Sequence, residues 1–371
     1  MEKKKPDRLF DLLSYVGFCV DFPQRLVSRT GGHPDWMRTV MHRALEGGYL
    51  TLWQNRTARR VVTSLRLTDK GMDYIACQDI RVFEMIAAQR DSMNRGTHNN
   101  TDKVLRRHSC AAALVMARNA GVRDLPQEKP PLTMRDQRWD RCTADPEVCY
   151  FYTIQEVRRA LAEHAPNLQL KGSSLTGIIV RGEACYYLYD TRGRRMFWMR
   201  ATEENFAGAV EALLNLRGFQ VCTMKQVILG DRMMVAKKLY RRSSKYSRSY
   251  FALSLFYKNC YFLPNSHLGD LQLRAMLDRD RTAEIRRQAL ASYAPAREGG
   301  GFWDATDPEE GRPALLNWSF DLLALQKAGM AVEEQGKTGI VLCFDHQVSV
   351  MQSLVGPQVE VRGIGEAERY G

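Results

Sequence analysis

Between Phe10 and Ile75 the apolar positions change period twice. Leu9, Leu12, Leu13 and Val16 recur at helical spacing, which predicts an amphipathic helix from about Asp7 to Val16. A second short helix is expected to start near Phe22-Pro23, with proline in its first turn, and to end by Gly31-Gly32. In the third, Pro34 and Asp35 open the pattern and Gly47-Gly48 close it, with Met37, Val40, Met41, Ala44 and Leu45 on one face. The period then falls to two. Tyr49 to Trp53 and Val61 to Leu67 alternate as strands around a tip, Asn55 to Arg60, that holds three arginines and no acid. Thr68 is placed to cap a closing helix with Met72 and Ile75 inward.

The polar face of the third helix carries Asp35, Thr39, His42 and Glu46, flanked by Arg38 and Arg43, and the tip carries Arg56, Arg59 and Arg60. Arginine reads guanine bidentately in a major groove, and basic hairpin tips suit a phosphate backbone. An ordinary solvated helix face is the bland alternative for the helix alone. With the hairpin added, the stretch resembles the winged helix-turn-helix family, in which a strand commonly runs into a Leu-Thr-x-x-Gly turn; Leu67, Thr68 and Gly71 match it. The resemblance implies docking on double-stranded DNA, or, in the family's other use, protein-protein contact or homodimerisation.

Beyond this module, Ile80 to Ala88 continues as a helix, and 90–102 is polar and rich in Asn and Gly. This places a linker over 83–103 after a first domain at 1–82, with α/β regions over 104–218 and 219–371. His108, in the first helix of the body, reads as a packing or capping residue. The body alternates helical and strand-like stretches: a helix over Ile154 to Ala165, strands at Ile178-Ile179-Val180, Ala184 to Tyr189 and Met196 to Arg200, and a helix over Glu203 to Leu216. Further on, Gln226 to Gly230 and Gly339 to Phe344 read as buried strands, and Leu315 to Ala328 as a helix. Val359 to Ile364 closes a strand-helix-strand order that suggests parallel pairing. The fold class expected is a multidomain α+β or α/β chain.

This order of parts invites comparison with the restriction-endonuclease-like fold, whose members hold Mg²⁺ with acids on successive strands and a nearby lysine. No acid stands near Leu175-Thr176, where the first is expected. Asp190, with Arg192 in the lysine's place, and Glu183 are the weak candidates for a catalytic set, which is incomplete. The core is therefore expected to be degenerate, and no cofactor or metal is called for. Over residues 8–215 the chain loosely resembles the replication-relaxation family of plasmid and mobile-element proteins, in domain order and in stretches such as Leu170-Lys171-Gly172 and Tyr186 to Trp198. That resemblance implies a role in replication, transfer or regulation of such an element. The family's acidic pattern is not recoverable, which puts inherited nicking activity in doubt.

Composition adjusts this picture in three places. Fifty-four Lys and Arg against 42 Asp and Glu give a formal charge of +12, which favours a polyanionic partner. Part of the excess lies in Lys237 to Tyr250, where Lys237, Lys238, Arg241, Arg242, Lys245 and Arg248 alternate with tyrosines and no acid. Such interleaving suits a nucleic-acid groove, with a solvated loop as the alternative. The nine cysteines form no CxxC pair, no run of eighteen apolar residues occurs, and the basic start has no signal-peptide core. These point to a cytoplasmic protein without a membrane partner. Gly299-Gly300-Gly301 lacks the Lys-Ser/Thr of a P-loop, and no His-x-His occurs. Asp345-His346 at a strand end reads as capping.

Overall fold

A computed structural model describes residues 7–57, 60–91, 100–133, 144–165, 172–192, 198–240, 251, 253–296 and 302–370. Among these residues it is a mixed α/β chain with three sheets.

The first sheet belongs to the N-terminal module. Helix α1 (Arg8–Cys19) is capped by Asp7, whose Oδ1 accepts from the Leu9 and Phe10 amides, each at 3.1 Å. The helix expected at Phe22-Pro23 is instead strand β1 (Phe22–Pro23) followed by a 3-10 helix (Gln24–Arg29). Phe22 pairs with Leu65 and Pro23 with Ser64, so the proline lies on an edge strand, where a missing donor is tolerated. Helix α2 (Pro34–Glu46) buries Met37, Met41 and Ala44. Strands β2 (Leu50–Thr57) and β3 (Arg60–Leu67) form an antiparallel hairpin, and the sheet order is β1-β3-β2. Thr68 caps α3 (Asp69–Gln78) by accepting from the Gly71 amide at 3.1 Å. Helix α4 (Ile80–Asp91) packs on α1 and α3.

Helix α5 (Thr101–Asn119) joins this module to the body. It is buried all round from Ser109 to Ala117, the mark of a helix at the centre of a core. The central sheet has the order β4-β5-β6-β7-β8. Strand β4 (Tyr150–Thr153) is followed by α6 (Ile154–His164), β5 (Leu175–Arg181) and β6 (Ala184–Asp190). Then come α7 (Arg200–Leu216), β7 (Thr223–Gly230), α8 (Val235–Tyr240) and β8 (Asn259–Pro264). β4, β5 and β6 are antiparallel neighbours; β6, β7 and β8 run parallel. The strand expected from Met196 to Arg200 is not formed at its described end, because Arg200 already opens α7. Its place beside β6 is taken by β7, returning in parallel after the α7 crossover.

The pleat sends alternate residues of this sheet into two cores. Ile178, Tyr187 and Ile228 face α6, α7 and α11 (Leu322–Gln335), whereas Ile179, Leu188, Val227 and Leu229 face α5 and α9 (His267–Leu277). The second cluster continues without a break into Leu12, Val16, Met37, Met41 and Leu65 of the N-terminal module. Chain segments on both sides of the 83–103 stretch therefore share one apolar interior.

After α9 comes α10 (Arg279–Ala289), then β9 (Ala294–Pro295), β10 (Ala305–Thr306) and β11 (Pro313–Leu316). α11, β12 (Gly339–Cys343), α12 (Asp345–Gln352) and β13 (Val359–Gly363) complete the third sheet, ordered β13-β12-β11-β10-β9. Leu315 and Leu316, expected to be helical, are strand residues that pair in parallel with Val341 and Leu342. The helix starts only at Leu322, where Asp321 caps it. The strand-helix-strand order at the end does pair in parallel, β12 with β13. Among the described residues, no helix is long and apolar enough to cross a membrane.

Candidate nucleic-acid interface

Helix α2 leaves Arg38, Thr39, His42 and Arg43 exposed. Arg38 is held by Asp35 one turn earlier (Nη1 to Oδ1, 2.6 Å), and the Thr39 hydroxyl donates to the Asp35 carbonyl at 3.1 Å. These local bonds orient the start of the polar face without burying it.

The hairpin has two unlike faces. Register pairs Arg56 with Val61, Gln54 with Thr63 and Leu52 with Leu65, which puts these residues on one face. The other face is covered by α5. Trp53 and Val62 pack on Val104 and Leu105, and the Asn55 Nδ2 donates to the Thr101 Oγ1 at 2.5 Å. The Ser64 hydroxyl lies 2.6 Å from the His108 Nε2. Below them, fully buried Asp21 accepts from Arg66 Nε at 2.6 Å and from the Arg107 guanidinium. The hairpin is thereby clamped to the body by apolar packing and a buried ion pair, while on its other face Leu65 is buried and Leu52, Gln54 and Arg56 toward the tip are exposed.

That open face, α2 and the body enclose a cleft of about 730 Å³. Arg38, Met41 and His42 form one wall, and Val61 and Thr63 a second. The third wall comes from the carboxyl ends of β6 and β7: Asp190, Arg192 and Asp231. Ligand sites of α/β sheets commonly lie beyond such strand ends. Arg25 stands at the edge of the cleft, 3.8 Å from Asp231. Arg192 adopts a left-handed backbone (φ 51°), and its amide donates to the Asp190 Oδ1 at 3.0 Å. Burial pushes the Asp190 carboxyl up from its ordinary 3.8 to about 6, and nearby Asp231 pushes the same way. The Arg192 amide, the Ser109 hydroxyl and the Arg192 charge pull against this shift.

The residues singled out in the sequence thus separate into groups. Arg38 and His42 line the cleft with Asp190, while Thr39 and Arg43 face away from it. Arg56 is exposed on the hairpin's open face. Arg60 lies in β3, and its side chain, like the whole of Arg59, falls outside what the structure describes. Lys238 is exposed on α8; Lys237 lines a separate groove of about 340 Å³ with Tyr240, Met330 and Glu333. Arg241, Arg242, Lys245 and Arg248 lie outside the described residues.

Glu183 and Asp190 are not brought together. They stand at opposite ends of β6, roughly 20 Å apart at the rise of a strand. Among the described residues no group of three His, Cys, Asp or Glu is placed to hold a metal ion. Near Leu175-Thr176, where an acid was expected, Glu203 of α7 is bound instead, accepting from the Ser173 hydroxyl (2.7 Å) and the Ser174 amide (2.6 Å). Asp231 was missed in the sequence. Its signal was available: it follows the buried strand Gln226 to Gly230 directly. Asp345, expected to cap, is instead the first residue of α12 after the N-cap Phe344, and its carboxylate accepts from the Gly365 amide at 3.0 Å.

Comparison with family models, with curated proteins and with solved structures finds no match to this chain.

Proposed function

We propose that the chain is a DNA-binding protein in which residues 8–78 act as a winged helix-turn-helix on double-stranded DNA. The observation that carries this reading is an exposed polar face on α2, with Arg38, Thr39, His42 and Arg43, followed in the chain by a hairpin that exposes Arg56. The element order supports it: helix, short strand, helical turn, exposed helix, hairpin, closing helix. In this reading Thr39 and Arg43 meet base edges or phosphate in the major groove, and Arg56, with Arg59 and Arg60, follows the neighbouring backbone. The meander β4-β5-β6 with the α7 crossover to β7 supports a degenerate restriction-endonuclease-like core for the body. The setting in a plasmid or other mobile element, in replication, transfer or regulation, rests on the sequence resemblance alone.

The test is an equilibrium titration of a duplex at several salt concentrations. Docking through arginines releases counterions, so log K falls linearly with log salt, with a slope near −0.9 for each phosphate neutralised. The reading predicts a slope of roughly −4 or steeper. Absence of salt-dependent binding to any duplex contradicts it.

A further inference from the structure

The polar face of α2 is divided. Thr39 and Arg43 point to open solvent, whereas Arg38 and His42 look across the cleft at the strand ends of the body. A helix with its side chains is about 10–12 Å across and a major groove about 12 Å wide, so a helix seated in the groove needs clear space on the side it presents. The Thr39–Arg43 side has that space. The Arg38–His42 side faces a protein wall, and the cleft between them, about 730 Å³, has the size of a small-molecule pocket and not of a duplex.

Its lining is chemically sorted. Arg25, Arg38 and Arg192 supply positive charge, which suits phosphate. Val61 supplies exposed apolar surface, backed by buried Val27, Met41 and Leu105, which suits the face of a base. Asp190 and Asp231 supply carboxyl oxygens between them. A carboxylate accepts and does not donate, so it selects an edge rich in N–H groups. Guanine offers adjacent N–H donors on its pairing edge; thymine offers one between two carbonyl oxygens, which repel a carboxylate.

We propose that this cleft receives a single unpaired nucleotide of the bound DNA, with guanine favoured and thymine disfavoured. This inference rests on the DNA-binding reading above and adds to it that the protein recognises locally unpaired DNA in preference to plain duplex. The base enters against Val61, its pairing edge meets Asp190, and its phosphate meets Arg38 or Arg192. Extrusion is least costly where the base is already unpaired. The adjoining α2 and hairpin supply the flanking duplex, which is why the source is DNA and not a free nucleotide.

The test uses the full chain and three labelled duplexes, identical except for a bulged dG, a bulged dT or no bulge. The bulged dG duplex is expected to bind on the order of tenfold more tightly than the paired one, with the bulged dT duplex gaining much less. Asp190→Asn should abolish the preference for dG over dT. Val61→Trp, at a half-exposed position, should fill the cleft and remove the bulge gain altogether. Guanosine monophosphate should compete only at concentrations far above those of the DNA; saturation at micromolar levels overturns the assignment to DNA. Equal affinities for all three duplexes, with a steep salt slope retained, overturn this inference and leave the reading of the winged helix standing. No binding to any of the three overturns both.

Discussion

Asp21 is the residue on which the attachment of the hairpin most depends. Its carboxylate is fully buried and takes one guanidinium from β3 and one from α5. Removing one member of a buried ion pair leaves the other charges without compensation, which commonly costs about 3–5 kcal/mol. Asp21→Ala is therefore expected to lower the free energy of unfolding measured in urea by an amount in that range, and a change under about 1 kcal/mol would show that Arg66 and Arg107 find other partners. Asp190 makes a different prediction. Its folded carboxyl titrates near 6, against an ordinary 3.8, so the folded state holds the proton more tightly than the unfolded chain does. The resulting stabilisation is fully present below about pH 4 and is lost as pH rises to about 6. Melting temperatures across pH 4 to 7 should show this decline in the native chain and a flatter profile in Asp190→Asn. Identical profiles would mean that the carboxyl is better solvated than its position at the strand end suggests.

At the scale of elements, the hairpin and α5 behave as one unit. Trp53 and Val62 lie on Val104 and Leu105, and Ser64 meets His108, so the strands have partners on one face along most of their length. Amides of β3 should consequently exchange with solvent about as slowly as those of α5. Fast exchange throughout 60–67, with α5 protected, would mean that the hairpin moves freely. Much of this module was legible in the sequence because its determinants are local. Thr68 caps α3 as its spacing implies, and Gly71 is required because a Cβ there would run into the Tyr49 carbonyl oxygen. The alternation in β2 and β3 likewise gave the pairing. What was not legible depends on distant partners. Nothing near Ser64 or Asp21 announces that His108 and Arg107 will meet them. Phe22-Pro23 looked helical because its strand partner, Leu65 with Ser64, lies forty residues away. Leu315 looked helical for the same reason, its partner being β12. The cleft is the furthest from local information, since it joins α2, β3, β6 and the residue after β7.

For the whole molecule, charge and architecture bear on the same claim. The formal charge of +12 favours a polyanionic partner, and one apolar cluster from α1 through α5 to the central sheet holds α2 and the hairpin on the body. A rigid attachment of this kind suits a protein that presents a preset surface to DNA, because little ordering is left to be done on binding. Arg43 and Arg56 carry the most direct test: both are exposed. The decisive measurement is the salt dependence of duplex binding for the native chain, Arg43→Ala and Arg56→Ala. If each arginine neutralises a phosphate, each variant binds more weakly at low salt and its log–log slope is shallower by about one. Variants that bind with the native affinity and the native slope would place the DNA elsewhere, and would contradict the account.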